Sequence, residues 1–136
     1  MCRFGPAGNS AVFYKSGGKS SIEVPQWLYN LGLTAYEYQC GRGVKTGEET
    51  AKLIGINAKK YGIALSIHAP YYINFCTAEK DKLEKSKNHL LKAMLLAKWM
   101  EANIVVFHPG SIGNMGRQQA FKNAADALEK FLLNEV

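Results

Sequence analysis

Two histidines, His68 and His108, stand at the ends of short apolar runs, and each is followed closely by a proline. The runs are Ser66-Ile67-His68-Ala69-Pro70 and Val105-Val106-Phe107-His108-Pro109. Both are too short for a helix, and the proline stops each pattern, as expected of a buried strand that presents a side chain at its end. Neutral imidazole is the commonest metal ligand among side chains. One such histidine would be read as a strand end and no more; two in the same structural position favour a metal site. Two histidines do not complete one.

The segment between the two histidines reads as one loop and one long amphipathic helix. A strand, a covering helix and a second strand form a βαβ unit, whose right-handed crossover makes the strands parallel and close neighbours. Both imidazoles are then expected at the carboxyl-terminal edge of one sheet, where parallel α/β architectures build their sites.

The rest of the chain repeats this unit. Strands are expected near 2–5, 35–40, 63–68 and 104–108. Helices are expected from Pro25 to Leu31, from a capping box at Thr46-Gly47-Glu48-Glu49 to Gly62, from Glu79 to Ala102, and from Gln118 to Leu133. Gly55 should weaken the second of these by about 1 kcal/mol relative to alanine. The order β-α-β-α-β-α-β-α makes an α/β fold of four βα units over a single partial domain, 1–136. Four units are half of a (βα)8 TIM barrel, whose full size is typically about 250 residues. Such a half or truncated barrel with a parallel sheet has two unpaired edges and an exposed inner face, so a homodimer or higher assembly is expected.

Alternation in Thr34-Ala35-Tyr36-Glu37-Tyr38-Gln39-Cys40 sends the tyrosines to one face and Glu37 with Gln39 to the other. The Glu37 carboxylate is either a structural acceptor or part of a site. Gly41-Arg42-Gly43-Val44-Lys45 is a mobile basic loop at the end of that strand. Tyr71-Tyr72-Ile73-Asn74-Phe75 is an aromatic loop after the first histidine. His89 falls beside the apolar stripe of the third helix, at a surface or boundary position.

Composition places the chain among ordinary globular proteins, with 47% apolar and 21% charged residues. The formal charge of +6 is compatible with a polyanionic partner without requiring one. Cys2, Cys40 and Cys76 form no C-x-x-C pair and read as reduced thiols of a cytoplasmic protein. No stretch approaches the length of a transmembrane segment, so no membrane partner is expected.

Taken together, His68-Ala69-Pro70-Tyr71-Tyr72-Ile73-Asn74-Phe75, Leu83-Glu84-Lys85-Ser86 and Asn103-Ile104-Val105-Val106-Phe107-His108-Pro109-Gly110-Ser111 resemble the amino-terminal half of endonuclease IV. These are zinc-dependent apurinic/apyrimidinic endonucleases of the xylose-isomerase-like TIM barrels. The resemblance implies that His68 and His108 are ligands of one ion in a three-zinc cluster. It implies that Tyr71 belongs to a loop that enters the duplex at the lesion, and that Arg42 lies in a loop that probes the minor groove. Tyr72 and Lys45 are expected to join them on DNA. The implied reaction is hydrolysis of the phosphodiester 5′ to an abasic site in double-stranded DNA. The family's remaining ligands come from later strands, so at most a partial zinc site and an inactive chain are expected here. Two further readings stand beside this one: a metal-dependent sugar isomerase or epimerase of the same superfamily, and a non-catalytic fragment that binds DNA through Arg42, Lys45 and the Tyr71-Tyr72 loop.

Overall fold

Alternation of large apolar and polar side chains in three short segments produces the sheet that organises the molecule. In the computed structural model, which describes residues 2–135, these are β1 (Ala35–Gln39), β2 (Ala64–His68) and β3 (Ile104–Val106). They lie side by side in the order β1-β2-β3, and both pairings are parallel. The helices are α1 (Ala11–Lys15), α2 (Val24–Asn30), α3 (Glu48–Lys60), α4 (Lys80–Met100) and α5 (Arg117–Glu135). Met1 and Val136, the ends of the expected domain, lie outside the described residues.

Register puts Tyr36 beside Leu65, and Tyr38 beside Ile67, which in turn stands beside Val105. This row packs against the helices. Ile67 joins Ala51 and Ile54 of α3, Leu90, Ala93, Leu96 and Met100 of α4, and Ala124 and Phe131 of α5 in the main core. Tyr36 joins a second cluster with Phe13, Val24, Leu28 and Ile63. Burial of these side chains, at about 1.5–3 kcal/mol each, drives the helices onto one face of the sheet.

The opposite face carries Glu37, Gln39, Ser66, His68, Ile104 and Val106. It is open: Ile104 is 57% exposed and Val106 38%. Phe121, Leu132 and Leu133 of α5 are also exposed. Among the described residues, the sheet therefore has the helix layer of a barrel on its outside and nothing over its inside, as a half barrel must.

Two expectations need correction. No strand forms over 2–5. The segment runs extended along β1 instead, with the Phe4 carbonyl accepting from the Thr34 and Ala35 amides, the Pro6 carbonyl accepting from Glu37, and the Gly8 amide donating to the Glu37 carbonyl. Only a single parallel bridge, Ala7 to Glu37, is regular. Pro6 has no amide to give to a ladder, which breaks the strand where it would otherwise continue. The capping box at Thr46 does not form either. Gly47 holds the cap position of α3 without a side-chain bond, and the Thr46 hydroxyl instead pairs with the Tyr38 hydroxyl at 2.5 Å. The half-buried Tyr38 phenol takes the threonine hydroxyl as its partner, and the local cap loses it to that tertiary contact.

Among the described residues, no helix is long and apolar enough to cross a membrane. The three cysteines are free, with Cys2 exposed and Cys40 and Cys76 buried. Burial pushes the Cys40 thiol up to about 11.

Candidate functional site

His68 is the last residue of β2, and His108 lies two residues beyond the end of β3. Because β2 and β3 are parallel and adjacent, with His68 paired to Val106, the two side chains leave the same sheet edge. Their ring centroids are 5.2 Å apart, with the planes inclined at 51°.

Local hydrogen bonding sets the tautomer of His68. Its Nδ1 lies 3.0 Å from the Ala69 carbonyl oxygen. A carbonyl only accepts, so Nδ1 carries the proton and donates, which leaves the Nε2 lone pair free. Backbone-held imidazoles of this kind are the usual form of a metal ligand. His108 is exposed.

Zinc–imidazole bonds of about 2.0–2.1 Å place the centroids of two rings on one tetrahedral ion about 5 Å apart. The pair therefore fits two positions of a zinc site in donor type and separation, and His68 fits in tautomer as well. Among the described residues, no third His, Cys, Asp or Glu joins it in a group able to hold a metal. The fit is partial.

Glu37 stands one row deeper. It is paired in register with Ser66, whereas the histidine row begins at Gln39 and His68. Its carboxylate accepts from Gln39 Nε2 at 2.8 Å and from the Ser66 hydroxyl at 3.4 Å. Those bonds account for the carboxylate as a structural acceptor, and the structure does not bring it together with the histidines.

The loops that carry the two histidines are stitched to each other. The Phe75 amide donates to the Pro109 carbonyl at 2.6 Å, and the Ala69 amide donates to the Val106 carbonyl at 2.8 Å. Asn74 is the centre of this seam. Its Oδ1 accepts from the Cys76 amide at 3.0 Å, and its amide donates to the Ser86 hydroxyl at 2.9 Å. Ser86 in turn donates to the Lys82 carbonyl at 2.8 Å. At 2% exposure, Ser86 is a polar group set into the apolar face of α4. Reading helix periodicity alone passes over it; a serine amid Leu83, Leu90 and Ala93 was the available signal.

Arg42 and Lys45 lie in the loop after β1 and line one small cleft of about 200 Å³ with Gly41 and Thr46. The Tyr71 amide points back to the Gly41 carbonyl at 3.4 Å, so the basic and aromatic loops are neighbours. Tyr71 and Tyr72 are 58% and 50% exposed, with ring centroids 4.5 Å apart. The hydrogen bond between their hydroxyls holds the Tyr72 phenol above its ordinary ionisation range, while the nearby Arg42 guanidinium pulls it back. His89 is half-buried at the boundary position expected of it, and its ring sits 5.8 Å from that of Tyr72.

Comparison with known proteins bears on the family and the fold. The family model for the xylose isomerase-like TIM barrel aligns with residues 25–133. A probable endonuclease 4 of Acholeplasma laidlawii is 31% identical over 133 residues, covering 87% of this chain and 45% of the relative. Among solved structures, endonuclease IV from Thermus thermophilus superposes with a TM-score of 0.62 at 22% identity, covering 93% of this chain and 45% of that one. D-psicose 3-epimerase from Clostridium cellulolyticum superposes with a TM-score of 0.70 at 9% identity, covering 93% and 43%. At such identities the superpositions speak to the fold alone. The chain spans less than half the length of each of these proteins, as four βα units of an eight-unit barrel would. It belongs to the xylose isomerase-like TIM barrel family, and endonuclease IV is among the members it resembles.

Proposed function

We propose that this chain is the amino-terminal half of a zinc-dependent endonuclease that hydrolyses the phosphodiester 5′ to abasic sites in DNA. The observation that carries the reading is the pair of imidazoles at one strand edge, 5.2 Å apart, with Nε2 of His68 left free. The named relative, a probable endonuclease 4, supports the same class.

In this reading His68 and His108 hold one zinc ion with ligands supplied from outside the four units. A zinc ion held there would lower the pKa of a water and neutralise charge on the phosphoryl and leaving oxygens. The chain's own residues bind and orient. Arg42 and Lys45 attract the phosphate backbone beside the site, as the overall charge of +6 allows. Tyr71 offers an aromatic face to a base left unpaired by the lesion. The Asn74–Ser86 seam keeps the aromatic loop and His108 in fixed relation. With two ligands in place, this chain alone is inactive or nearly so, and it holds zinc weakly.

The exposed inner face gives a motive for assembly. Burying Ile104, Val106 and the α5 residues Phe121 and Leu132 against a second copy would cover exposed apolar surface.

The test joins this chain to the carboxyl-terminal half of the A. laidlawii relative and follows nicking of an end-labelled abasic duplex. Nicking that is lost in His68→Ala and His108→Ala is the expected result. A completed barrel that binds zinc and leaves abasic duplex intact overturns the proposal. The epimerase reading shares the fold but lacks a free carboxylate at the Glu37 position, and incubation of the same protein with ketoses should show no turnover.

A further inference from the structure

Three rings climb from the strand edge onto the outer layer: Tyr71 and Tyr72 with centroids 4.5 Å apart, then His89 of α4 at 5.8 Å from Tyr72. The core of the same molecule holds rings at similar spacing, Phe75 to Phe107 at 6.1 Å and Phe75 to Phe131 at 6.0 Å. Phe75 and Phe131 are almost fully buried, as packed aromatics normally are. The Tyr71–Tyr72–His89 ladder is instead half open to water and supports no core.

Its surroundings are cationic. Arg42 follows Gly41, whose carbonyl accepts from the Tyr71 amide at 3.4 Å, which sets it in the loop beside the ladder. On α4, Lys85 and Lys92 stand four residues before and three after His89, so both flank it on one side of the helix. Both are exposed, and among the described residues neither comes within 4 Å of a carboxylate, whereas Lys82 and Lys87 on the same helix are paired with Glu79 and Glu84. Unpaired cations beside open aromatic faces are the elements of a single-strand nucleic-acid groove, in which rings take bases and cations take phosphates.

We propose that Tyr72 and His89, with Lys85 and Lys92 beside them, form a track for an unpaired DNA strand that leads from the strand edge onto α4 and works without metal. The track rests on the nuclease reading for its biological setting, since it would hold the strand next to an abasic site, but its binding is separate from the histidine pair. Sequence preference should be slight, because every base has a face to stack.

The test is fluorescence anisotropy of the whole chain with a labelled oligothymidylate in EDTA. Binding is expected to persist in EDTA and to exceed that of an intact duplex. Tyr72→Ala with His89→Ala should weaken it about tenfold, consistent with two lost stacking surfaces. His89→Phe should keep it, since the ring rather than the charge is used. Lys85→Ala with Lys92→Ala should lower the slope of log affinity against log salt by about 1.4, the value for two phosphates on a single strand. Unchanged binding in the double aromatic variant, with folding checked by circular dichroism, overturns the track; so does loss in His89→Phe or a requirement for zinc. Because the nicking assay reads His68 and His108 and this assay excludes metal, failure of either proposal leaves the other standing.

Discussion

Replacing Gly110 with alanine tests whether the two histidine loops are held by direct backbone packing. Gly110 follows His108-Pro109 and has φ 132°, a conformation that L side chains rarely adopt. A Cβ there would lie 2.1 Å from Asn74 Oδ1, 2.8 Å from its Cγ and 2.9 Å from its Cα. The Oδ1 contact does not relax freely, because Asn74 is fixed through Ser86 and the Cys76 amide, and its Cα is backbone. Backbone strain of about 1–3 kcal/mol and overpacking of about 1–3 kcal/mol both oppose the substitution. Partial relaxation of one relieves the other, so a net loss of about 2–4 kcal/mol is expected. At about 3.5 °C per kcal/mol for a chain of this length, the melting temperature should fall by about 7–14 °C. Gly116→Ala is the control: it lies in the same connection, with nothing within 4 Å of its Cβ and an ordinary φ. It should stay within about 0.5 kcal/mol of the parent. The assay is thermal unfolding by circular dichroism, paired with zinc competition against a chromophoric chelator. Zinc affinity should fall in Gly110→Ala alone, since the loop that carries His108 must move away from Asn74. A Gly110→Ala protein that melts with the parent refutes the packing argument.

Gly55→Ala should destabilise by about 1–2 kcal/mol in urea titration: the helix-propensity gain of about 1 kcal/mol is outweighed because the new Cβ would lie 2.5 Å from the Met100 carbonyl oxygen. Ser86→Ala should cost about 1–3 kcal/mol, read from the same titration, because the half-buried Asn74 amide loses its acceptor. Cys40 gives a pH signature: its thiol ionises near 9 when unfolded and at about 11 when folded, so its contribution is complete below pH 9 and is lost as pH rises towards 11. Cys40→Ala should flatten stability against pH across that window, measured by denaturant titration. Light scattering at micromolar concentration should give a dimeric or larger mass, and a monomeric mass counts against coverage of the inner face by a second copy.

The repeating βα order and the parallel sheet were legible because each element carries its own signal: apolar runs of strand length, helical periodicity, and prolines that end patterns. Placement of both histidines at one edge followed from the handedness of the crossover, a rule that needs no side-chain detail. What the sequence could not supply were decisions between competing partners. Thr46 had a local capping role and a tertiary one with the half-buried Tyr38, and the tertiary contact won. Residues 2–5 looked like a strand until Pro6 removed an amide from the ladder. Glu37 faced inward, as alternation required, but only register against Ser66 showed that it sits a row below the histidines. Gly55 read as a weak point within its own helix, and only the approach of Met100 from α4 made the missing Cβ a requirement. Periodicity put His89 at a boundary but not beside Tyr72, which lies in a loop whose path is set by Ser86 and Asn74. Local propensity and periodicity determined which elements form and which way they face. The close approach of segments far apart in the chain decided which polar groups are satisfied, and therefore which remain free for a ligand.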